Sequence, residues 1–532
     1  QKRLQCYNKI EIPHSGKIKL SVFRVTVQIQ EKYKIPRGGK MKFTVVKKGL
    51  YYDSVKLMLV TNKLLELDSI TNVAVVMGTD LNKDTLIRNN LYSEEAEKAT
   101  KNDLIIAMDT DSRESFESAL IVIDSELNSR TSDNSDDEIY LSLNSALKDY
   151  NQSNFCIISV PGEYAAEETE NALNKNLNVM LFSDNVSIDD EIRLKKLAVS
   201  KGLLLMGPDC GTAHINGVPY CFSNKLKKGT IGLVAASGTG CQEVMTLVDK
   251  LGGGISNAIG TGGRDLNEKV GGIMTKFALE LLEQDPETEV IGLISKPPSE
   301  NVKNELLTYI SENITKPIVI HFVGNKELIE GNEVEITTSL QETAELLFKK
   351  AYPNLNPNSL NNNSKEIYNI DDYTIVGLFT GGTLAYESLY KLKDKIKGIR
   401  SNLIKGFNYD EIELEKGNII LDLGDDYYTR GRAHPMIDPT LRNEMFKEAI
   451  TLDNKLILLD FVLGYGSNKE PHKKVKELLK NKGSNSIVLA TICGTYDDPQ
   501  DYQNIRKELE QFDVVVFDSN AAMVEYVIKN LK

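Results

Sequence analysis

Two residue patterns in this chain have the chemistry to hold small anions. The first is a recurring turn in which an apolar run ends in glycine and a helix-forming stretch follows. It occurs at Ser237-Gly-Thr-Gly240 after TIGLVAA, at Gly260-Thr-Gly-Gly263 after ISNAI and at Thr380-Gly-Gly-Thr383 after TIVGLF. It recurs at Gly464-Tyr-Gly466 after LILLDFVL and at Gly494-Thr495 after SIVLATIC. Glycine lets the backbone approach an anion, while the free N–H groups and dipole of the next helix favour negative charge. A Ser or Thr at such a turn adds a hydroxyl donor or caps the helix. Any single turn of this kind also serves simply as a tight joint. Several at the carboxyl ends of parallel strands mark the place where open α/β sheets bind ligands. None matches the P-loop pattern and GTGGRD is not a dinucleotide fingerprint, so nucleotide hydrolysis has no support in these motifs.

The second pattern is a cluster of cations. Arg430, Arg432, His434 and Arg442 fall within one turn-rich stretch. Arginine forks match carboxylates and phosphates in bidentate geometry. The same arginines have Asp425, Asp426 and Asp438 beside them, so a structural ion-pair network is the competing reading, and both stay open. His434 has the chemistry of an acid or base near neutral pH; with Pro435 next to it, a loop-orienting role is the alternative. Arg264 directly follows a glycine turn and is a further candidate anion contact. Cys241 opens a helix, where a thiol's pKa can fall, although a helix-packing role outweighs a reactive one.

The elements that must position these residues are apolar strands alternating with helices. After Met41, strands are expected at Lys42 to Lys48, Asn72 to Gly78 and Asp103 to Met108, with helices from about Tyr52 and at Arg113 to Asn128. A second set has strands at Phe155 to Val160, Asn178 to Phe182 and Leu203 to Met206. A third has strands at Thr230 to Ala235, Ile255 to Ile259, Val290 to Ile294 and Pro317 to Phe322. Arg130 to Asp137 and Pro353 to Asp372 read as linkers. Continuous apolar strands alternating with helices imply α/β domains with parallel, doubly wound sheets. The expected division is an N-terminal α/β domain over 41–130, a Rossmann-like domain over 138–228 and two further modules over 229–350 and 373–532. Residues 1–40 lack the rhythm, apart from a strand-like run at Ile18 to Gln30. Arg37-Gly-Gly-Lys40 is what a purine-rich ribosome-binding sequence gives in frame, so the native start is expected at Met41 with 1–40 a non-native leader.

Composition narrows the function classes. Across 532 residues the formal net charge is −13, which argues against a general binder of nucleic acid or anionic membrane. No apolar run approaches the roughly 20 residues that span a bilayer. Six cysteines with no CxxC pair point to reduced thiols and a cytoplasmic location. No metal ligand set is evident.

Several motifs carry a resemblance. Gly207-Pro-Asp-Cys-Gly211 resembles the GPNCPG of the succinyl-CoA synthetase α subunit. Lys228-Gly-Thr-Ile-Gly-Leu-Val followed by Ser237-Gly-Thr239 resembles its KVGIVSRSGT, and Asp285-Pro-Glu-Thr-Glu289 its DPQTE. Leu421-Asp-Leu-Gly424 resembles the LDVGG of the β subunit's carboxyl-terminal domain, and Leu459 to Gly466 falls on its LVNIFGG segment. This fused order, with Gly381-Gly-Thr-Leu-Ala-Tyr-Glu387 and Gly431-Arg-Ala-His-Pro-Met-Ile-Asp-Pro439, resembles the FdrA family of acyl-CoA synthetase-like proteins. The resemblance implies a CoA-binding Rossmann-like domain followed by flavodoxin-like ligase domains. Some members of that family are subunits of oxamate carbamoyltransferase, which interconverts oxalurate plus phosphate with oxamate plus carbamoyl phosphate in allantoin degradation.

The departures from succinyl-CoA synthetase are as informative. The segment after Lys316-Pro-Ile-Val319 holds no His to phosphorylate in Asn325 to Glu335. His321 lies inside an apolar strand, where a packed core role outweighs a nucleophilic one. The glutamate that orients the phosphorylated His falls on Ser295-Lys-Pro-Pro298, which puts Lys296 near the site instead. No nucleotide-grasp module is recognisable in this sequence. By resemblance, two opposed helix N-termini hold the transferring phosphoryl group: Ser237, Gly238 and Thr239 on one side, Gly464, Tyr465 and Gly466 on the other. Ser237, Thr239, Arg432 and His434 are the candidate catalytic residues, with Arg264, Arg430 and Arg442 binding substrate. The expected function is a carbamoyl-transferring subunit acting on a small phosphate or carbamoyl substrate, with other protein subunits and an oligomeric state. The alternatives are an acyl-CoA ligase that takes its nucleotide module from another chain, or a sensor of CoA or acyl phosphate. CoA is the candidate cofactor, held near Pro161 to Glu163 and Gly207 to Gly211.

Overall fold

The computed structural model describes residues 5–7, 41–50, 52, 57, 60–61, 63–64, 67, 69–128, 140, 142–325, 334–361, 370–409, 412–429, 433–482 and 485–531. The expected leader, apart from 5–7, the strand at Ile18 to Gln30 and the 130–137 linker therefore lie outside the described residues. Two compact units result.

The smaller unit contains β2 (Met41–Lys47), β3 (Ile70–Met77) and β4 (Leu104–Thr110), and also takes in Asp426–His434. Its strands pair in the order β2-β4-β3, and both pairings are antiparallel. A parallel sheet was expected here. Alternation of strands and helices along a sequence does not fix strand direction, because apolar strands buried on both faces look alike in either sense. Val73, Val75, Ile106 and Met108 pack with Phe116 and Ile123 on one face; Ala74, Ile105 and Ala107 pack with Leu86 and Leu91 on the other.

The larger unit carries three sheets. The first orders β1 (Gln5–Tyr7), β5 (Phe155–Ile158), β6 (Asn178–Leu181) and β7 (Leu205–Met206), with β1 antiparallel and the rest parallel. The second contains a hairpin that the sequence did not announce, β8 (Thr212–Ile215) and β9 (Val218–Cys221). With it come β10 (Lys228–Ala236), β11 (Ile255–Gly260), β12 (Val290–Ser295), β13 (Ile318–Phe322) and β14 (Val334–Ile336), in the order β14-β13-β12-β10-β11-β8-β9. The third contains β15 (Thr374–Phe379), β16 (Ile419–Asp422), β17 (Lys455–Val462), β18 (Ile487–Cys493) and β19 (Val515–Phe517), in the order β16-β15-β17-β18-β19 and wholly parallel.

Leaving the hairpin aside, the second and third sheets share one winding. In each, the first strand lies between the second and third, which is the flavodoxin-like order. Their buried side chains form one apolar cluster in which Leu233, Val244 and Leu247 join Phe379, Leu384, Leu458 and Val524. The chain is thus an α/β protein built on parallel sheets. Among the described residues no helix is long and apolar enough to cross a membrane.

Candidate functional site

In a sheet of this winding, the order reverses at the carboxyl end of the first strand, and a crevice opens there. Those ends are Ala236 on β10 and Phe379 on β15. Each runs into a glycine turn, and a helix starts at once, Gly238–Leu251 in one half and Gly382–Leu392 in the other. Ser237 caps its helix: its backbone is extended, and its Oγ accepts from Gly240 N at 3.2 Å. The second helix begins on Gly381 and has no side-chain cap of its own. Asp460, from the middle of β17, takes that role. One carboxylate oxygen accepts from Thr380 N at 2.7 Å and Thr380 Oγ1 at 3.0 Å, the other from Gly381 N at 2.6 Å.

The two turns meet. Ser237 Oγ and Thr383 Oγ1 share a hydrogen bond of 2.6 Å, and Thr383 N donates to Thr239 Oγ1 at 3.2 Å. A Cβ on Gly240 would press to 3.0 Å from the Thr383 methyl, and one on Gly381 to 3.0 Å from the Thr239 methyl. Glycine at both positions is therefore a condition of the close approach. Ser237, Thr239, Thr380 and Thr383 are buried, whereas Gly238 is exposed.

Charge distinguishes the two helix ends. Asp422, at the carboxyl end of β16, turns Oδ2 to the first residue of the Gly382–Leu392 helix, so closely that a side chain on Gly382 would collide with it. Its Oδ1 accepts from Gly424 N at 2.9 Å. Burial pushes the Asp422 carboxyl up to about 6, against the pull of Lys296 and the Gly424 N–H. Burial likewise raises Asp460, against the Thr380 and Gly381 N–H groups and Arg442. The positive end of this helix is thus already answered by two carboxylates. The Gly238–Leu251 end has the hydroxyls of Ser237, Thr383 and Thr239 around it and no acidic residue in its first turn. Gly238 is exposed at this helix start, the kind of position at which free N–H groups can receive an anion.

The other expected site residues fall as follows. Gly464, Tyr465 and Gly466 do not begin a helix; the next one starts at Lys473. Their loop packs on the hairpin exit instead, with Tyr465 N donating to Ser223 O at 2.7 Å and Gly464 N to Gln500 Oε1 at 3.0 Å. The partner of the Ser237 turn is therefore Thr380 to Thr383. The turns at 260–263 and 494–495 likewise reach their next helices only at Ile273 and Tyr502. Arg264 Nη2 lies 2.9 Å from Glu191 Oε2 and donates to Val186 O at 2.8 Å. Beside it, buried Lys195 is 2.7 Å from both Glu191 and Asp265, and donates to Thr261 O at 3.0 Å. Arg442 is buried over the Phe461 ring and spends its fork on Asp460 O and Pro471 O, at 2.9 and 2.8 Å. Arg430 and Arg432 lie outside the described residues. His434 falls in the smaller unit, half-buried, and burial draws its pKa down to about 4.

His321 is fully buried on β13, with Nδ1 3.2 Å from Thr337 Oγ1 and a pKa drawn down to about 4 by burial, which fits the packing role. Cys241 is buried too, and its thiol is pushed up to about 12, the opposite of an activated cysteine. Lys296 leaves the end of β12 and holds its ammonium 5.6 Å from the Tyr386 ring centre, on the Asp422 side of the site. Sequence reasoning missed Asp422 and Asp460 as parts of the site. The signal was present: an ionisable residue at the end of IILD, and another inside the apolar run LILLDFVL.

Two flavodoxin-like halves joined at their first-strand turns define a CoA-ligase-like protein. Residues 378–528 match the CoA-ligase family, and residues 41–140 match a family described as AllF, heavy metal-associated domain. The chain is 39% identical over 469 residues to the uncharacterized protein YahF of Escherichia coli K12, across 85% of this chain and 91% of that one. It belongs to the YahF family, a CoA-ligase-like family of FdrA type. More distantly, it is 28% identical over 181 residues to the succinate–CoA ligase [ADP-forming] subunit alpha of Aquifex aeolicus, across 32% of this chain and 57% of that subunit. It is 26% identical over 205 residues to the ADP-forming sulfoacetate-CoA ligase subunit SauD of Bilophila wadsworthia, across 37% of this chain and 67% of that one. Among solved structures, ATP citrate lyase from Methanothrix soehngenii matches over 40% of this chain and 37% of that one at 17% identity and a TM-score of 0.32, which adds nothing to what the topology shows. The heavy-metal description does not fit the residues at hand. Positions 41–140 contain neither Cys nor His, so the thiolate and imidazole ligands favoured by soft metals are lacking there.

Proposed function

We propose that this chain is the phosphate-site component of an acid–thiol ligase, working with CoA and with a nucleotide-binding partner subunit. The observation that carries the reading is the meeting of the two first-strand turns, with Ser237 Oγ 2.6 Å from Thr383 Oγ1 beside the exposed Gly238. CoA would supply the thiol that takes the acyl group from an acyl phosphate; the C–S bond forms, the C–O bond breaks, and phosphate leaves with the thiol proton. The chain's part is to hold the phosphate on the N–H groups at Gly238 and Thr239 and to orient it with the Ser237 and Thr383 hydroxyls. Catalysis of this kind is positioning and charge stabilisation. The ligase names of the distant relatives support the same chemistry, though the choice of acid is this chain's own.

One observation favours a second reading. The described residues at the junction include no histidine, and His321 is packed in a strand, so no phosphohistidine relay is evident at this site. Direct transfer of a carbamoyl group between phosphate and an amide acceptor needs no such relay and fits the same helix ends. The two readings separate in one assay of phosphate release by the purified chain, alone and with proteins encoded beside it. Release from acetyl phosphate that requires CoA supports the ligase. Release from carbamoyl phosphate that requires oxamate, without CoA or nucleotide, replaces it with the transferase. Unchanged release in Ser237→Ala under either condition would overturn the placement of the site.

A further inference from the structure

Asp422 presents an unusual combination. It is 6% exposed, its Oδ1 accepts from Gly424 N, and its Oδ2 is turned to the first residue of an eleven-residue helix. Asp460, its neighbour across the same helix end, accepts three hydrogen bonds and has Arg442 behind it. Of the two buried carboxylates, Asp422 is therefore the one whose charge is poorly held. The groups that face it are Lys296 from the end of β12, Asp425 on its own loop, Asp460 from β17, Tyr386 from the Gly382–Leu392 helix and Tyr409. Lys296 favours the charged form of Asp422, and Asp425 and Asp460 oppose it. Burial already lifts the Asp422 carboxyl to about 6.

A dianion arriving at the adjoining Gly238 end adds negative charge to this group, the two helix ends being joined by the Thr383–Ser237 and Thr383–Thr239 hydrogen bonds. Like charges in a low-dielectric site raise the pKa of the group least able to keep its charge. We infer that anion binding at the Ser237–Thr239 turn is coupled to proton uptake by Asp422, which makes this residue the one that sets the charge state of the ligand the site accepts. The inference rests on the phosphate-site reading above and deepens it: the turn takes a phosphate-bearing ligand together with a proton, and releases both as pH rises.

The test uses inorganic sulfate, which stays dianionic from pH 5.5 to 8.5, with inorganic phosphate alongside, titrated calorimetrically into the full chain and into Asp422→Asn. Asparagine keeps an oxygen to accept from Gly424 N, and melting curves at pH 5.5 check that the variant folds. In the wild type, sulfate affinity should fall by up to about tenfold per pH unit above pH 6, and the heat should vary with the buffer's ionisation enthalpy as protons are taken up. Asp422→Asn should bind with a flat pH profile and more tightly than wild type at pH 8. Binding to wild type with no pH dependence and no proton uptake would overturn the coupling while leaving the anion site standing. A variant that keeps the wild-type profile would do the same. If neither protein binds sulfate or phosphate anywhere in the range, the phosphate-site reading itself fails and the coupling with it.

Discussion

Glu243 lies in the middle of the Gly238–Leu251 helix, 1% exposed, and its Oε1 accepts from Asn520 N at 2.9 Å. Burial lifts its pKa from an ordinary 4.5 to about 7, opposed by Lys250 and the Asn520 N–H and reinforced by Glu387. The folded protein therefore binds a proton that the unfolded chain has already released between those two values. Stability must fall as pH rises through that window, and level off above pH 7. At 1.36 kcal/mol per pH unit, the full fall is about 3 kcal/mol. Glu243→Gln keeps the acceptor oxygen and removes the titration. Calorimetric unfolding of the larger unit, followed from pH 4.5 to 8.5, should show the variant gaining about 3 kcal/mol on the wild type across the window, with the gain confined to pH values above 4.5. Parallel curves for the two proteins would refute the argument, because they would mean that Glu243 keeps an ordinary pKa in the fold.

Four other substitutions probe the junction and the packing around it. Ser237→Ala and Thr383→Val, singly and together, should show a coupling of about 0.5–1.5 kcal/mol in denaturant unfolding, the worth of one buried hydrogen bond; strict additivity would mean that the two turns do not touch. Lys195→Met leaves Glu191 and Asp265 buried without their shared cation, and should cost about 3–5 kcal/mol, read as a lowered midpoint. Gly464→Ala should also destabilise, by about 1–3 kcal/mol, since Gly464 sits at φ +107 and a Cβ there would collide with Ser223 O; a neutral effect on the melting temperature would contradict that packing.

How much of this was legible in the sequence differs from element to element. The Ser237 turn could be read because a buried strand, a capping Ser and two glycines are consecutive. Its partner could not: Ser237 and Thr383 are 146 positions apart, and no local pattern says which of several similar turns will face it. The helix start expected at Gly464 to Gly466 is absent for the same reason, since glycines that open a helix and glycines that admit a neighbouring backbone look alike in a sequence. Strand positions were legible to within two or three residues from apolar runs, as for the Thr230 to Ala235 expectation against β10. The antiparallel N-terminal sheet was not, because an alternating strand–helix rhythm is compatible with either direction. Asp422 and Asp460 were visible as ionisable residues in apolar surroundings, but their role emerges only where two strands and a helix end converge.

The polar groups that line the seam between the two flavodoxin-like halves have consequences for how the chain must assemble. Lys250 donates to Ile492 O and Asp518 O, and Asn520 N donates to Glu243, over separations of more than 240 residues. None of these groups finds its partner within its own half. Docking of the halves is thus a late, long-range event that must wait for loop closure over most of the carboxyl-terminal chain. Until it happens, each half carries an unsatisfied polar face beside exposed apolar surface, the combination that makes folding intermediates associate wrongly. A half produced by itself is accordingly expected to gather into aggregates, and to become tractable when its complement is made in the same cell.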